Sequence, residues 1–219
     1  MIVILNGPPG SGKDTIANLI AETTDNWVHL TFKEQLYYDV CKVYDVPLKK
    51  AVPYFTDRKK KEKHTKVFGG LTPRGALIHV SEKIIKPMYG AHHYGAVLAD
   101  RIINEPDHMN YIISDGGFSE ETKVLLQMVE GIHEVVIVRL HREGCTFEGD
   151  SRNYIYDFPP LTFDLDIIEN NVAQTIDELW DIILDMGGTY VQEDDGERDG
   201  ERDDTPFMTE DEPEEIDRI

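Results

Sequence analysis

Apolar residues gather in five short runs along the chain, and between the runs they recur every three or four positions. The first run, Met1 to Leu5 (MIVIL), is unbroken and rich in β-branched residues, the pattern of a parallel strand buried on both faces. From Gly12 to about Thr24 the residues Ile16, Leu19 and Ile20 fall at helical spacing. Trp27 to Phe32 (WVHLTF) alternates as a second strand, and Leu36, Val40 and Val43 then mark one face of a helix over Phe32 to Tyr44. Thr72-Pro73-Arg74 opens another helix, with proline suited to its first turn and Leu77, Val80, Ile84 and Ile85 as its buried stripe. A further helix is predicted from about Gly95 to Asn104. Tyr111 to Ser114 (YIIS) reads as a third strand. Ser119 is expected to cap a helix through Glu130, with Glu120 and Glu121 in its favourable first turn. Glu134 to Leu140 (EVVIVRL) gives a fourth strand and Leu165 to Ile168 (LDII) a fifth, before a helix bearing Ile176, Leu179, Trp180 and Ile183. Strands alternating with helices predict an α/β fold, a parallel five-stranded sheet flanked by helices.

Composition sharpens this picture at two places. The chain has 219 residues, 40% of them hydrophobic, enough for one α/β domain with a sizeable core. Its net charge of −20 is uneven: residues 193–219 hold fourteen Asp or Glu against three Arg and so carry −11 of it. A stretch such as EDDGERDGERDD has almost nothing to bury, so residues 189–219 are expected to form a disordered acidic tail outside a domain of residues 1–188. Phe207, Met208 and Ile216 are its isolated apolar points. Against this acidity, Lys49 to Lys66 has eight Lys or Arg and only Asp57 and Glu62, a local charge of +6. Such an island is either a solvated face or a track for an anionic partner, in which case Arg58 and its neighbouring lysines would hold phosphate. Cys41 and Cys145 are the only cysteines, and neither a leader pattern nor a spanning apolar run is read in the sequence. The expectation is a soluble protein of a reducing cytoplasm, without a membrane partner.

The chemistry concentrates after the first strand. Gly7-Pro8-Pro9-Gly10-Ser11-Gly12-Lys13 fits G-x-x-x-x-G-K between a strand and a helix, the context in which backbone amides and a helix N-terminus cradle phosphate. Gly7, Gly10, Ser11 and Gly12 would form that cradle, and Lys13 would reach the β- and γ-phosphates of a nucleotide. Asp14 stands where a Ser or Thr normally meets Mg²⁺, so either its carboxylate or the Thr15 hydroxyl is the candidate metal contact. The third strand delivers Asp115 beside the loop, where an acid can hold Mg²⁺ or its waters. Between strands four and five, HREGCTFEGDSRNY carries Arg142 and Arg152 and suits a short lid over a transferring phosphate. Lys33, at a helix start, is either a solvated charge or a substrate contact.

Over roughly residues 1 to 186 the chain resembles the phage-type deoxynucleoside monophosphate kinases of the P-loop NMP kinase group. The likeness rests on GxxxSGKDT at Gly7 to Thr15, Phe32-Lys33, Thr72-Pro73-Arg74, Ile113-Ser114-Asp115, the arginine-bearing lid and Ile168-Glu169-Asn170-Asn171. It implies a P-loop NTPase-type fold, ATP and Mg²⁺ served by Lys13, Asp14 and Thr15, and Asp115 at the metal. It further implies Arg74 at the acceptor, Arg142 or Arg152 as a lid arginine, and Asn171 on the nucleotide side. One departure stands out: relatives commonly read Asp-x-Arg-Phe after the third strand, and here Gly117 takes the arginine's place, so a phosphate-gripping charge is expected to be missing. The chain is also similar to phage kinases that phosphorylate 5-hydroxymethyluracil within DNA during thymidine hypermodification. The expected acceptor is therefore a free deoxynucleotide or hydroxymethyluracil-containing DNA, in an infected host cytoplasm if the chain is viral. A non-catalytic nucleotide-binding assembly protein is the remaining alternative, and a homodimer is left open.

The polar tail yields a direct expectation. Removal of residues 193–219 should keep the melting temperature and any small-substrate turnover of the full protein nearly unchanged. A scanning-calorimetry melting point lowered by several degrees would show that the tail packs on the domain.

Overall fold

The unbroken apolar run at the start of the chain becomes β1 (Ile2–Asn6), buried along its whole length. The computed structural model describes residues 1–105, 109–167 and 171–189, apart from the Arg58 side chain. After β1 come α1 (Lys13–Thr23), β2 (Trp27–Leu30), α2 (Lys33–Tyr44), α3 (Leu48–Thr56) and α4 (Arg58–Lys61). A 3₁₀ turn (Lys66–Phe68) leads to α5 (Pro73–Val80), a π-helical turn (Ser81–Ile85), α6 (Lys86–Tyr89) and α7 (His93–Asn104). The chain continues through β3 (Asn110–Gly116), α8 (Ser119–Val129), β4 (Val135–His141), β5 (Thr162–Asp166) and α9 (Val172–Asp185).

The five strands form one parallel sheet in the order β2-β3-β1-β4-β5. Alternation along each inner strand sorts its residues to two cores. Ile2 and Ile4 of β1, Tyr111 and Ile113 of β3, and Val135 and Ile137 of β4 face the helices α2, α3, α5, α7 and α8. Val3, Leu5, Ile112, Val136 and Val138 face α1 and α9, where they meet Ile16, Ile20, Leu179 and Ile183. Trp27 and Trp180 close that second core edge to face at 5.5 Å. Because β1 lies between β3 and β4, the loop that follows it opens at the centre of the sheet's carboxyl edge, where ligands of open α/β sheets collect. Among the described residues, no helix is long and apolar enough to cross a membrane.

The structure moves several predicted boundaries. β5 begins at Thr162 and ends at Asp166, before the predicted run is complete. It is an edge strand paired only with β4, and Leu165 is its one buried residue, so a continuous apolar run is not required of it. Ser119 is the first residue of α8 rather than its cap, and makes no side-chain cap bond. Thr72 does cap α5, accepting the Gly75 amide at 3.0 Å. The basic island folds into α3 and α4: Asp57 caps α4 by accepting the amides of Lys59 and Lys60. Of the predicted tail only Thr189 is described, and its carbonyl accepts the Trp27 indole N–H at 3.1 Å; residues 190–219 and Ile168-Glu169-Asn170 lie outside the described residues.

Helices α7 and α8 approach closely at Gly95. A methyl group there would sit 2.1 Å from the Glu121 carbonyl oxygen, so the helices must part to admit it. Gly95→Ala should cost about 1–3 kcal/mol as an overpacking change, lowering the melting temperature by roughly 2–12 °C. An unchanged melting point would show that the two helices are not in this contact.

Candidate active site

The loop after β1 is shaped by residues that only glycine tolerates easily. Gly10 and Gly12 take φ of 86° and 97°, left-handed geometry that turns successive amides inward ahead of α1. Lys13, the first residue of α1, is buried at 7% exposure. Its ammonium donates to the carbonyl oxygens of Gly7 (2.6 Å) and Pro8 (2.7 Å) and to Ser11 Oγ (3.3 Å). Burial, helped by the nearby charge of Arg152, lowers its pKa to about 8, although Asp14 and Asp115 pull the other way. The lysine therefore folds back over its own loop, with the free amides of the first turn of α1 beside it.

Asp14 is exposed on that turn, and its Oδ1 accepts a hydrogen bond from Ser114 Oγ at 2.6 Å. Lys33 Nζ lies 3.6 Å from the same oxygen. Although partial burial opposes it, the Lys33 charge and the Ser114 hydroxyl hold the Asp14 carboxyl below its ordinary range. Thr15 is exposed one residue further on. Asp115 is placed differently from the sequence expectation: it lies within β3 and is buried, rather than standing at an open tip. Its Oδ1 accepts the Phe32 amide at 2.8 Å and its Oδ2 the Lys33 amide at 3.0 Å, so it ties β3 to the start of α2. A hard cation needs oxygen donors, and Asp14 with Thr15 supplies them on the open side. Asp115 sits behind them as a fixed negative charge with its remaining lone pairs.

The lid segment is anchored rather than free. Asn6, fully buried at the end of β1, donates to the carbonyls of Gly116 (3.1 Å) and Asn153 (3.0 Å) and accepts the Ile155 amide at 2.8 Å. The Asn153 amide donates to the Gly117 carbonyl at 3.1 Å. These bonds lay Arg152 across Gly117, where an added Cβ would stand 2.7 Å from Arg152 Cβ and 3.0 Å from its Cγ and Cδ. The stem of Arg152 thus fills the space beside Gly117. Arg152 forms a bidentate pair with Asp150 (2.9 and 2.8 Å), which holds that carboxyl down to about 2. Arg142 reaches back to the glycine loop, donating to the Gly10 carbonyl at 3.1 Å.

Several cations surround the same opening. Arg74 at the start of α5 is exposed and pairs with Glu62 at 2.6 Å. Lys61, at the end of α4, was not singled out within the island, yet it is the member that turns inward. Burial, reinforced by the like charges of Arg74, Lys33 and Arg152, lowers its pKa to about 8. Arg58 opens α4, but its side chain lies outside the described part of the structure. Asn171 stands after β5 at the same edge of the sheet, where its side chain caps α9 by accepting the Gln174 amide at 3.2 Å. Sequence reasoning also missed Asn6 and His29. The polar ending of an apolar strand was the available signal for Asn6, and a histidine inside the alternating WVHL was the signal for His29.

No protein-family model matches the sequence, and no curated protein does. Solved structures similar to this chain include a gluconokinase from Sinorhizobium meliloti 1021, at 11% identity and a TM-score of 0.40 over 83% of this chain and 94% of that one. The thymidylate kinase of Candida albicans is 14% identical, with a TM-score of 0.43 over 84% of this chain and 91% of its own. The tunicamycin resistance protein of Deinococcus radiodurans is 11% identical, with a TM-score of 0.44 over 86% and 96%. These are distant likenesses of chain trace, and the chemistry is carried by the side chains described above.

Glu121, at 4% exposure, lies close enough to Asp115 to feel its charge. Burial, then the Asp115 charge, raises its pKa to about 8. The folded protein keeps this proton where the unfolded chain, titrating near the ordinary value, has lost it. Stability is therefore contributed below the unfolded pKa and lost as pH rises towards 8. Glu121→Gln should flatten the fall in melting temperature between pH 5 and pH 8.5 (about the span between the two pKa values) and stabilise the protein at the alkaline end. Parallel pH profiles of the variant and the parent would contradict this placement.

Proposed function

We propose that the protein is an ATP-dependent phosphotransferase whose acceptor is a deoxynucleoside monophosphate. The observation that carries the proposal is two groups of anion-binding character flanking Asp115. One is the glycine loop with Lys13; the other is the cationic group of Lys33, Lys61, Arg74 and Arg152. A protein that only bound a nucleotide would have use for the first and none for the second.

In this reading the loop amides and Lys13 hold the β- and γ-phosphates of ATP. Asp14, Thr15 and, from behind, Asp115 would hold Mg²⁺, which neutralises charge on the phosphates. Arg74, Lys61 and Arg152 grip the acceptor phosphate and align one of its oxygens with the γ-phosphorus. That oxygen forms the new P–O bond as the bond to the β-phosphate oxygen breaks, giving ADP and a deoxynucleoside diphosphate. Little covalent chemistry is asked of the protein, whose part is positioning and charge stabilisation. Arg142, held against Gly10, and Arg152 supply positive charge from the lid side.

Incubation with γ-labelled ATP, each deoxynucleoside monophosphate, hydroxymethyl-dUMP and hydroxymethyluracil-containing DNA tests the proposal. Label is expected in a free diphosphate product and absent with Lys13→Ala. Arg74→Ala should lower kcat/KM for the acceptor by roughly 10- to 150-fold, the range of a charge-assisted contact, while ATP binding barely changes. A second reading, phosphorylation of hydroxymethyl groups in DNA, is favoured by the exposed lysines Lys49, Lys50, Lys59, Lys60 and Lys63 on and beside α3 and α4. Label in DNA, with binding whose salt dependence flattens when those lysines are neutralised, would replace the first reading by the second. No transfer to any member of the panel would remove both.

A further inference from the structure

The first turn of α1 is connected to the sheet by a short chain of hydrogen bonds that the proposed transfer does not itself require. Ser114 is fully buried in β3, and its hydroxyl donates to Asp14 Oδ1 at 2.6 Å. His29 on β2 lies with Nε2 at 2.7 Å from Ser114 Oγ and Nδ1 at 2.6 Å from Asn18 Oδ1. Asn18 is one helical turn beyond Asp14, so the chain leaves α1, crosses the neighbouring strands β3 and β2, and returns to α1.

The proton count fixes its direction. A serine hydroxyl has one proton, and the ionised Asp14 can only accept, so Ser114 donates to Asp14 and must itself accept from His29 Nε2–H. In the neutral ring Nδ1 is then an acceptor, so the Asn18 carboxamide, placed with Oδ1 towards the ring, is assigned the flipped orientation that presents its NH₂ to Nδ1. This tautomer leaves no donor or acceptor in the chain competing with its neighbour.

Asp14 has reason to need such a hold. Its side chain is 66% exposed, and a carboxylate on a rotatable stem has more freedom than the short hydroxyl usual at this position. Lys33, 3.6 Å away, offers a competing partner. Both contacts fall on Oδ1, so neither of them occupies Oδ2.

We infer that His29 is a positioning residue: by holding Ser114 it fixes the Asp14 carboxylate in the orientation that receives the divalent cation arriving with the nucleotide. This rests on the proposed reading of the glycine loop as a nucleotide site. Asp14 acts in place of the usual hydroxyl because the Ser114–His29 pair gives it a comparable rigidity.

The test uses the full-length protein, Mn²⁺ as the cation and a non-hydrolysable ATP analogue. Mn²⁺ affinity of the analogue complex is read by electron paramagnetic resonance, and analogue affinity without metal by calorimetry in EDTA. Ser114→Ala and His29→Leu should each weaken Mn²⁺ binding, by roughly tenfold for the lost bond to the carboxylate, and leave the metal-free affinity within about twofold. Ser114→Thr, which keeps the hydroxyl, should retain the Mn²⁺ affinity. Ser114→Ala removes a single oxygen and carries the test if His29→Leu does not fold. Unchanged Mn²⁺ binding in variants that still bind the analogue would overturn the positioning role and leave the nucleotide site standing. Equal weakening with and without metal would also overturn it, reducing the chain to a structural tie. A parent protein that binds no analogue at all would overturn the nucleotide site itself, and this inference with it.

Discussion

An ammonium group buried among carbonyl oxygens organises this end of the molecule. Lys13 donates to Gly7, Pro8 and Ser11, so the loop closes around a cation that has given up most of its water. Such a group is held below its usual pKa by burial and by neighbouring positive charge. An anion entering the loop would restore what burial removed, and the amides of α1 would add to its grip. The left-handed Gly10 and Gly12 keep those amides directed inward. The strand before the loop has to be rigid for this to work, and β1 is, with hydrogen-bonded neighbours on both sides and apolar contacts on both faces.

The cationic side of the opening depends on a second constraint, the carboxamide of Asn6. One buried side chain joins the ends of β1 and β3 to the returning lid, and in doing so sets Arg152 over Gly117. The close approach demands glycine at 117, since any side chain there would collide with the stem of Arg152. Lys61 and Arg74 reach the same region from α4 and α5, which places cations around the opening from four separate segments.

Much of this was legible in the chain. An apolar run ending in a glycine loop and a lysine locates β1 and the turn into α1 because strand burial and loop geometry are both local demands. Alternating strands and helices likewise gave the sheet class, since the period of the apolar residues is set within each element. The misplaced fifth strand shows the limit: an edge strand with one buried residue, Leu165, imposes almost no pattern. The helices α3 and α4 were hidden by Pro53 and a run of lysines, which suit an exposed surface whatever its conformation. Asn6, His29 and Gly117 owe their roles to partners far along the chain, and no local signal announces which residue will fold against them. Lys61 differs from its neighbouring lysines only in the direction α4 gives it.

The central claim is that the Lys13 loop is a phosphate site, and the protonation of that one lysine reports on it most directly. Nitrogen-15 labelling of lysine side chains, with Lys13→Arg to assign the resonance, allows its titration to be followed by NMR. In the protein alone the Lys13 ammonium should titrate at about 8. With a saturating non-hydrolysable ATP analogue it should return towards the ordinary lysine value of about 10.4 as phosphate charge replaces carbonyl contacts. A midpoint that stays at about 8 in the presence of the analogue would contradict the account.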